Sequence, residues 1–109
     1  MPRYRCSVSG TLDDSARSRV ENGLARIEAE YFDTDPADLL VEYTEVDPDR
    51  WFTAAQPSRA AVVTGTVPVG TTQEVRERLL FSVGRMISEA IDRDFDDVMV
   101  VASTGRRGR

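Results

Sequence analysis

From Arg3 to Val8 polar and apolar residues alternate: Arg3, Tyr4, Arg5, Cys6, Ser7, Val8. A period of two predicts a strand over residues 3–9 with one buried face, and Gly10 ends it. The period then changes. Between Ser15 and Phe32 the apolar positions Ala16, Val20, Leu24, Ile27 and Tyr31 recur at helical spacing. Asp13 and Asp14 stand at the head of this stretch, where a side-chain cap and the helix dipole favour them. "DTDP" (33–36) ends the helix, since the residue before a proline avoids helical geometry. "LLVEYTEV" (39–46) reads as a second strand, and "DPDRW" turns after it. The series then starts again. "RAAVVTGTV" (59–67) reads as a strand, and "TTQE" (71–74) has the capping-box pattern. Val75, Leu79, Val83, Met86 or Ile87, and Ala90 carry a helix face; "VMVVAS" (98–103) is the last strand, before "TGRRGR".

Letters repeat as well as elements. At an offset of 55, "PRYRCSVSGT" (2–11) meets "PSRAAVVTGT" (57–66), aligning Pro2 with Pro57, Val8 with Val63, Gly10 with Gly65 and Thr11 with Thr66. Val20 then meets Val75, and Leu24 meets Leu79. "DLLVEYTE" (38–45) meets "DVMVVAST" (97–104) at an offset of 59, which implies a four-residue difference within the second helical half. The expected organisation is one domain, 1–109, of two βαβ units at about 2–55 and 57–104, with a short basic tail at 105–109. Parallel strands joined through a helix cross over with one hand, which puts both helices on one face. The fold class is therefore α/β (α+β), a four-stranded mixed sheet with two helices on one face. The other face is bare. Ala61, Val62 or Val63, Val98 and Val100 are too apolar for water, so that face is expected to bury against other subunits.

Composition narrows the chemistry. A chain of 109 residues with a net charge of −5 fits one soluble domain and argues against nucleic acid as partner. No 18-residue apolar run exists to span a membrane, and the N-terminus has no apolar signal core, so the expected location is cytoplasmic. The single Cys6 excludes an internal disulfide and a multi-cysteine metal site. The chain has no His and no Lys; all 14 basic residues are Arg. A histidine base, a Schiff-base lysine and the usual zinc sites are all excluded. Any base is a carboxylate, a tyrosine, the cysteine or the N-terminal amine. Pro2 offers that amine: once Met1 is removed it is a free secondary amine. Proline is also simply tolerated at the first residue of a strand.

A Met-Pro start, two βαβ units of about 55 residues and a bare sheet face resemble the tautomerase superfamily. "TEVDPDRWFTAAQ" (44–56) is similar to the segment after the second strand in 4-oxalocrotonate tautomerase-like proteins, with Trp51 in the place of their aromatic residue and Ala54 and Ala55 in place of a glycine pair. The resemblance implies a tautomerase/MIF-like fold and a homotrimer without metal or organic cofactor. It also implies that Pro2 shuttles a proton in keto–enol tautomerisation of a small carbonyl compound or α-keto acid. An amine becomes a weaker base when desolvated or set near cations, because both penalise the charged form, and a base works best when its pKa lies near the operating pH. The chain departs from the family where arginines are expected: Thr11 and Thr66 follow the strand-ending glycines, Leu40 and Met99 stand early in the second strands, and "VPVGTT" (67–72) has none. Trp51 is expected to hold the substrate or to pack in the core or interface, and a substrate carboxylate then falls to Arg3 beside Pro2, to Arg50 before Trp51, or to Arg59 at the third strand. Cys6 reads as a buried, inert thiol; Tyr4 and Tyr43 read as core tyrosines before proton donors; Glu42 and Glu45 read as surface groups. Two alternatives stay open. One is a hydratase-, dehalogenase- or decarboxylase-type lyase on a small unsaturated acid. The other is a non-catalytic oligomeric binding protein of the same fold, which expects Met1 retained or Pro2 sealed from solvent.

Overall fold

The alternation of the first strand is realised as β1 (Arg3–Ser9), with Tyr4, Cys6 and Val8 buried and Arg3 and Arg5 exposed. The computed structural model describes residues 2–105; of the basic tail, Arg106 to Arg109 lie outside the described residues. Helix α1 (Asp14–Phe32) follows, capped by the Asp13 carboxylate, which accepts the Ala16 N–H. Then come β2 (Leu40–Val46), a hairpin of β3 (Phe52–Thr53) and β4 (Gln56–Pro57), β5 (Ala61–Val67), α2 (Gln73–Ala90) and β6 (Val98–Thr104). The main sheet has the order β2-β1-β5-β6, with β1 parallel to β2, antiparallel to β5, and β5 parallel to β6. It is the mixed sheet the pattern predicts, with both helices on one face.

The core lies between that face and the helices. Val20, Leu24 and Ile27 of α1 and Leu79, Val83, Met86 and Ile87 of α2 are buried against Tyr4, Cys6, Val8, Ala61 and Val63. Burying a side chain of this size contributes about 1.5–3 kcal/mol each. Close approach fixes two glycines: a Cβ on Gly23 would meet the Met86 sulfur at 2.4 Å, and one on Gly65 would meet the Tyr4 ring at 2.7 Å.

The bare face differs from the expectation. Register puts Ala61, Val63, Val98 and Val100 on the helix side, and of the residues named for the bare face only Val62 points there. Its other members are Leu40, Glu42 and Thr44 of β2, Arg3, Arg5 and Ser7 of β1, Thr64 and Thr66 of β5, and Met99, Val101 and Ser103 of β6. Apolar runs in β5 and β6 hide their period, because both faces carry valines.

The structure also re-registers the repeat. Helix caps Asp13 and Thr72, the left-handed Asp33 and Asp92, and Asp35 and Asp94 at the heads of the short turns before the second strands are each spaced by 59. Val20 is therefore the counterpart of Leu79 and Leu24 of Val83, and the change of offset precedes the helices. Gly10 ends its strand at φ 80°, whereas Gly65 lies in mid-strand; the matching left-handed glycine is Gly70 at 93°. Pro57 is not at the head of a main-sheet strand either, because it belongs to the hairpin. The capping box at 71–74 is displaced by one residue: Thr72 caps α2 by accepting the Val75 N–H, while Thr71 donates to the Pro68 carbonyl.

Candidate functional site

Pro2 precedes β1, a central strand, and its carbonyl accepts the Leu40 N–H at 3.0 Å. The residue is buried. Strand alternation puts it on the helix side of the sheet with Tyr4, two residues on. Tyr4 donates its hydroxyl to Oε2 of Glu28 at 2.5 Å, and Thr34 donates to Oε1 at 2.9 Å. Glu28 is 0% exposed, a carboxylate wholly inside the core. Cys6, the next residue on this face, has its thiol pushed up to about 12 by burial. It is no nucleophile at neutral pH.

Arg3 points the other way. On the bare face its Nε lies 3.1 Å from Oε1 of Glu42, and Arg5 approaches the same oxygen at 3.7 Å. The arginine next to Pro2 in sequence is thus directed away from the Pro2 ring. Arg76, unremarked in the sequence, is an arginine at Pro2's end on the helix side. It donates to the Ala102 carbonyl at 2.6 Å and to Thr104, at the ends of strands beside Val67.

The remaining predicted residues lie at the opposite end of the sheet. Val8 is opposite Ala61, so six residues of extended strand, about 20 Å, separate Pro2 from the entry to β5. Arg59 lines a cavity of about 500 Å³ there, with Thr53, Ser58, Ala60, Asp96, Asp97, Val98 and Met99. Trp51 is half-buried, and its indole N–H donates to the Ala60 carbonyl at 2.9 Å. Arg50 is exposed on the short turn before it. Arg93 clips this end shut, donating to the carbonyls of Arg59 and Ser9. Burial, and then repulsion by Arg59, hold its guanidinium below the usual range. A second cavity, of about 410 Å³, opens on α2 among Phe81, Arg85, Ser88, Glu89 and Phe95 and carries none of the predicted residues. Tyr43 and Glu45 fasten β2 to α1. Tyr43 donates to Glu21, and Glu45 accepts from the Leu12 N–H and from Arg17. Burial, reinforced by Glu21, raises the Tyr43 hydroxyl beyond use as an acid.

One chain therefore sets Pro2 on the same strand face as Tyr4, which is bonded to Glu28, and keeps Arg50, Trp51 and Arg59 at the far end. Glu28 and Arg76 are the polar residues the sequence reading passes over. Glu28 had a signal, since it follows Leu24 by four residues and so sits on the apolar stripe of α1. Arg76 had none, because an arginine in the first turns of an amphipathic helix reads as a solvated face.

No family model matches the chain, and no curated protein resembles it in sequence. Solved structures do. Native Ps01740 superposes with a TM-score of 0.87 at 22% identity, over 95% of this chain and 94% of that one. A symmetric trimer of wild-type fused 4-OT superposes at 0.85 and 16% identity, over 95% and 85%. MIF2 of Leishmania major superposes at 0.83 and 15% identity, over 100% and 92%. The chain has the tautomerase/MIF-like α+β fold along its whole described length, and its structural neighbours belong to the tautomerase superfamily.

Proposed function

We propose that this chain is a cofactor-independent tautomerase. Its Pro2 amine, freed by removal of Met1, moves a proton between the oxygen and the α-carbon of a small carbonyl compound or α-keto acid. The observation that carries the reading is a proline at the head of a central strand, in a chain of which 95% superposes on fused 4-OT. The step is balanced within the substrate: the amine takes the enol proton, the carbonyl forms, and the ammonium returns a proton to carbon. Burial of Pro2 favours the neutral amine, which is the form a base needs.

The working unit in this reading is a homotrimer. Arg59 and Trp51 lie about 20 Å from Pro2 of their own chain, so they reach substrate only as residues of a neighbouring copy. Arg3 and Arg50 are the less favoured carboxylate partners, Arg3 because Glu42 already holds it.

One observation favours the non-catalytic alternative, an oligomeric binding protein: Pro2 is buried. Intact mass and Pro2→Ala kinetics separate the two. A chain lacking Met1, whose Pro2→Ala variant loses at least about 100-fold in kcat/KM for ketonisation of phenylenolpyruvate, supports the tautomerase. Retained Met1, or unchanged activity in the variant, overturns it.

A further inference from the structure

Glu28 is hard to explain as packing. A carboxylate withdrawn from water is costly unless it is paired or hydrogen-bonded. The chain contains its own control. At the repeat spacing of 59, Glu28 corresponds to Ile87, 1% exposed, and Tyr4 to Val63, 0% exposed. The equivalent helix and strand positions are thus filled once by buried apolar side chains and once by an acid bonded to a phenol. The polar version occurs only in the half that begins with Pro2.

We infer that Glu28 is the counter-charge of the Pro2 amine, a positioning residue that sets the amine's basicity from behind. This rests on the reading of Pro2 as a free amine. Tyr4 and Pro2 are alternate residues on one face of the strand, about 7 Å apart. Glu28 is bonded to Tyr4 directly. Thr34, its other donor, opens the segment that ends at Leu40, whose N–H is bonded to Pro2. Tyr4 and Thr34 each donate a hydroxyl to Glu28, one on each oxygen, and donors of this kind favour the charged form of a carboxyl group. A negative charge held in a poorly screened interior stabilises the ammonium and raises the amine's proton affinity, opposing the desolvation that lowers it. Among the described residues, the charged or titratable groups toward this end of the sheet include Cys6 on the strand and face of Pro2, Arg3, Arg5 and Glu42 on the opposite face, Asp33, Asp35 and Asp38 in the segment leading to β2, and Arg76 on α2. Along β5 the neighbour is apolar Val67.

The test reads the amine itself. In protein labelled with ¹⁵N-proline, the Pro2 nitrogen is titrated by NMR in the wild type, in Glu28→Gln, and in the double variant Tyr4→Val/Glu28→Ile, which copies the apolar pair of the second half and guards against misfolding of the single variant. Loss of the anion is expected to lower the Pro2 midpoint by about one pH unit, a tenfold fall in proton affinity, and to move the acidic limb of the pH–rate profile with it. Tyr4→Phe, which keeps the charge, is expected not to lower it. A titrating amine whose midpoint is unmoved in both charge-removing variants overturns the role of Glu28 and leaves Pro2 as the base. A wild-type proline nitrogen that does not titrate, with Met1 retained by mass, overturns both.

Discussion

Among single residues, Cys6 and Glu45 give opposite and testable pH dependences. Cys6 is buried in mid-strand, and desolvation pushes its thiol from 9.0 to about 12. A group whose pKa is raised on folding contributes stability that is full below its unfolded value and is lost as pH rises toward the folded one. Stability is therefore expected to fall between about pH 9 and 12, and Cys6→Ala should flatten that slope in thermal melts while lowering stability at neutral pH. An identical alkaline slope in the variant would assign the loss elsewhere. Glu45 behaves in the opposite sense. The Leu12 N–H, and then Arg17, hold its carboxyl below the usual range. Its contribution is present above the unfolded carboxyl pKa and lost as pH falls through the lower folded value. Glu45→Gln should then weaken acid destabilisation below about pH 4.5, read by denaturant midpoints across the acid range; an unchanged pH dependence would contradict this.

Among the elements, the hairpin is the one with stored strain. Thr53 pairs with Gln56, so the loop is Ala54 and Ala55, both left-handed at φ 51° and 65°. That is the primed turn suited to strand twist, normally made with Asn-Gly or Gly-Gly. A side chain bearing a Cβ costs about 1 kcal/mol or more in this region. Replacing Ala54 and Ala55 by Asn and Gly is expected to raise stability by about 1 kcal/mol, checked by chemical denaturation. A lower midpoint would mean that the turn relaxes at no cost. The helices show the reverse situation. Asp33 and Asp92 are left-handed at the two helix ends, but aspartate tolerates that region.

At the scale of the whole molecule, the sheet face opposite the helices is the open question, and its composition answers part of it. Met99 is 60% exposed and Val101 48%, with Val62 beside Met99, while Thr64 separates Val101 from the Arg3–Glu42–Arg5 cluster on the far half of the face. An apolar patch rimmed by charge on a small domain marks an interaction surface. The native mass is expected to be that of three chains by light scattering, and Val101→Arg is expected to reduce it to that of one. A monomeric wild type would remove the argument for a shared site.

The sequence alone determined the element order and the helix faces, because the periods of two and 3.6 are local consequences of backbone geometry. It also singled out Pro2, because a chain without His or Lys has few bases to offer. The faces of β5 and β6 were not legible, since valines on both sides erase the period and only pairing register against β1 resolves it. The repeat was misaligned by letters in its first half, where chance identities outweighed cap geometry. The grouping of site residues was decided by topology: β5 runs antiparallel to β1, which carries Arg59 and Trp51 to the end of the sheet away from Pro2, while strand alternation puts Pro2 on the face of Tyr4, the residue bonded to Glu28. A buried acid joining a helix to a strand 24 residues away is a contact that only the folded chain makes.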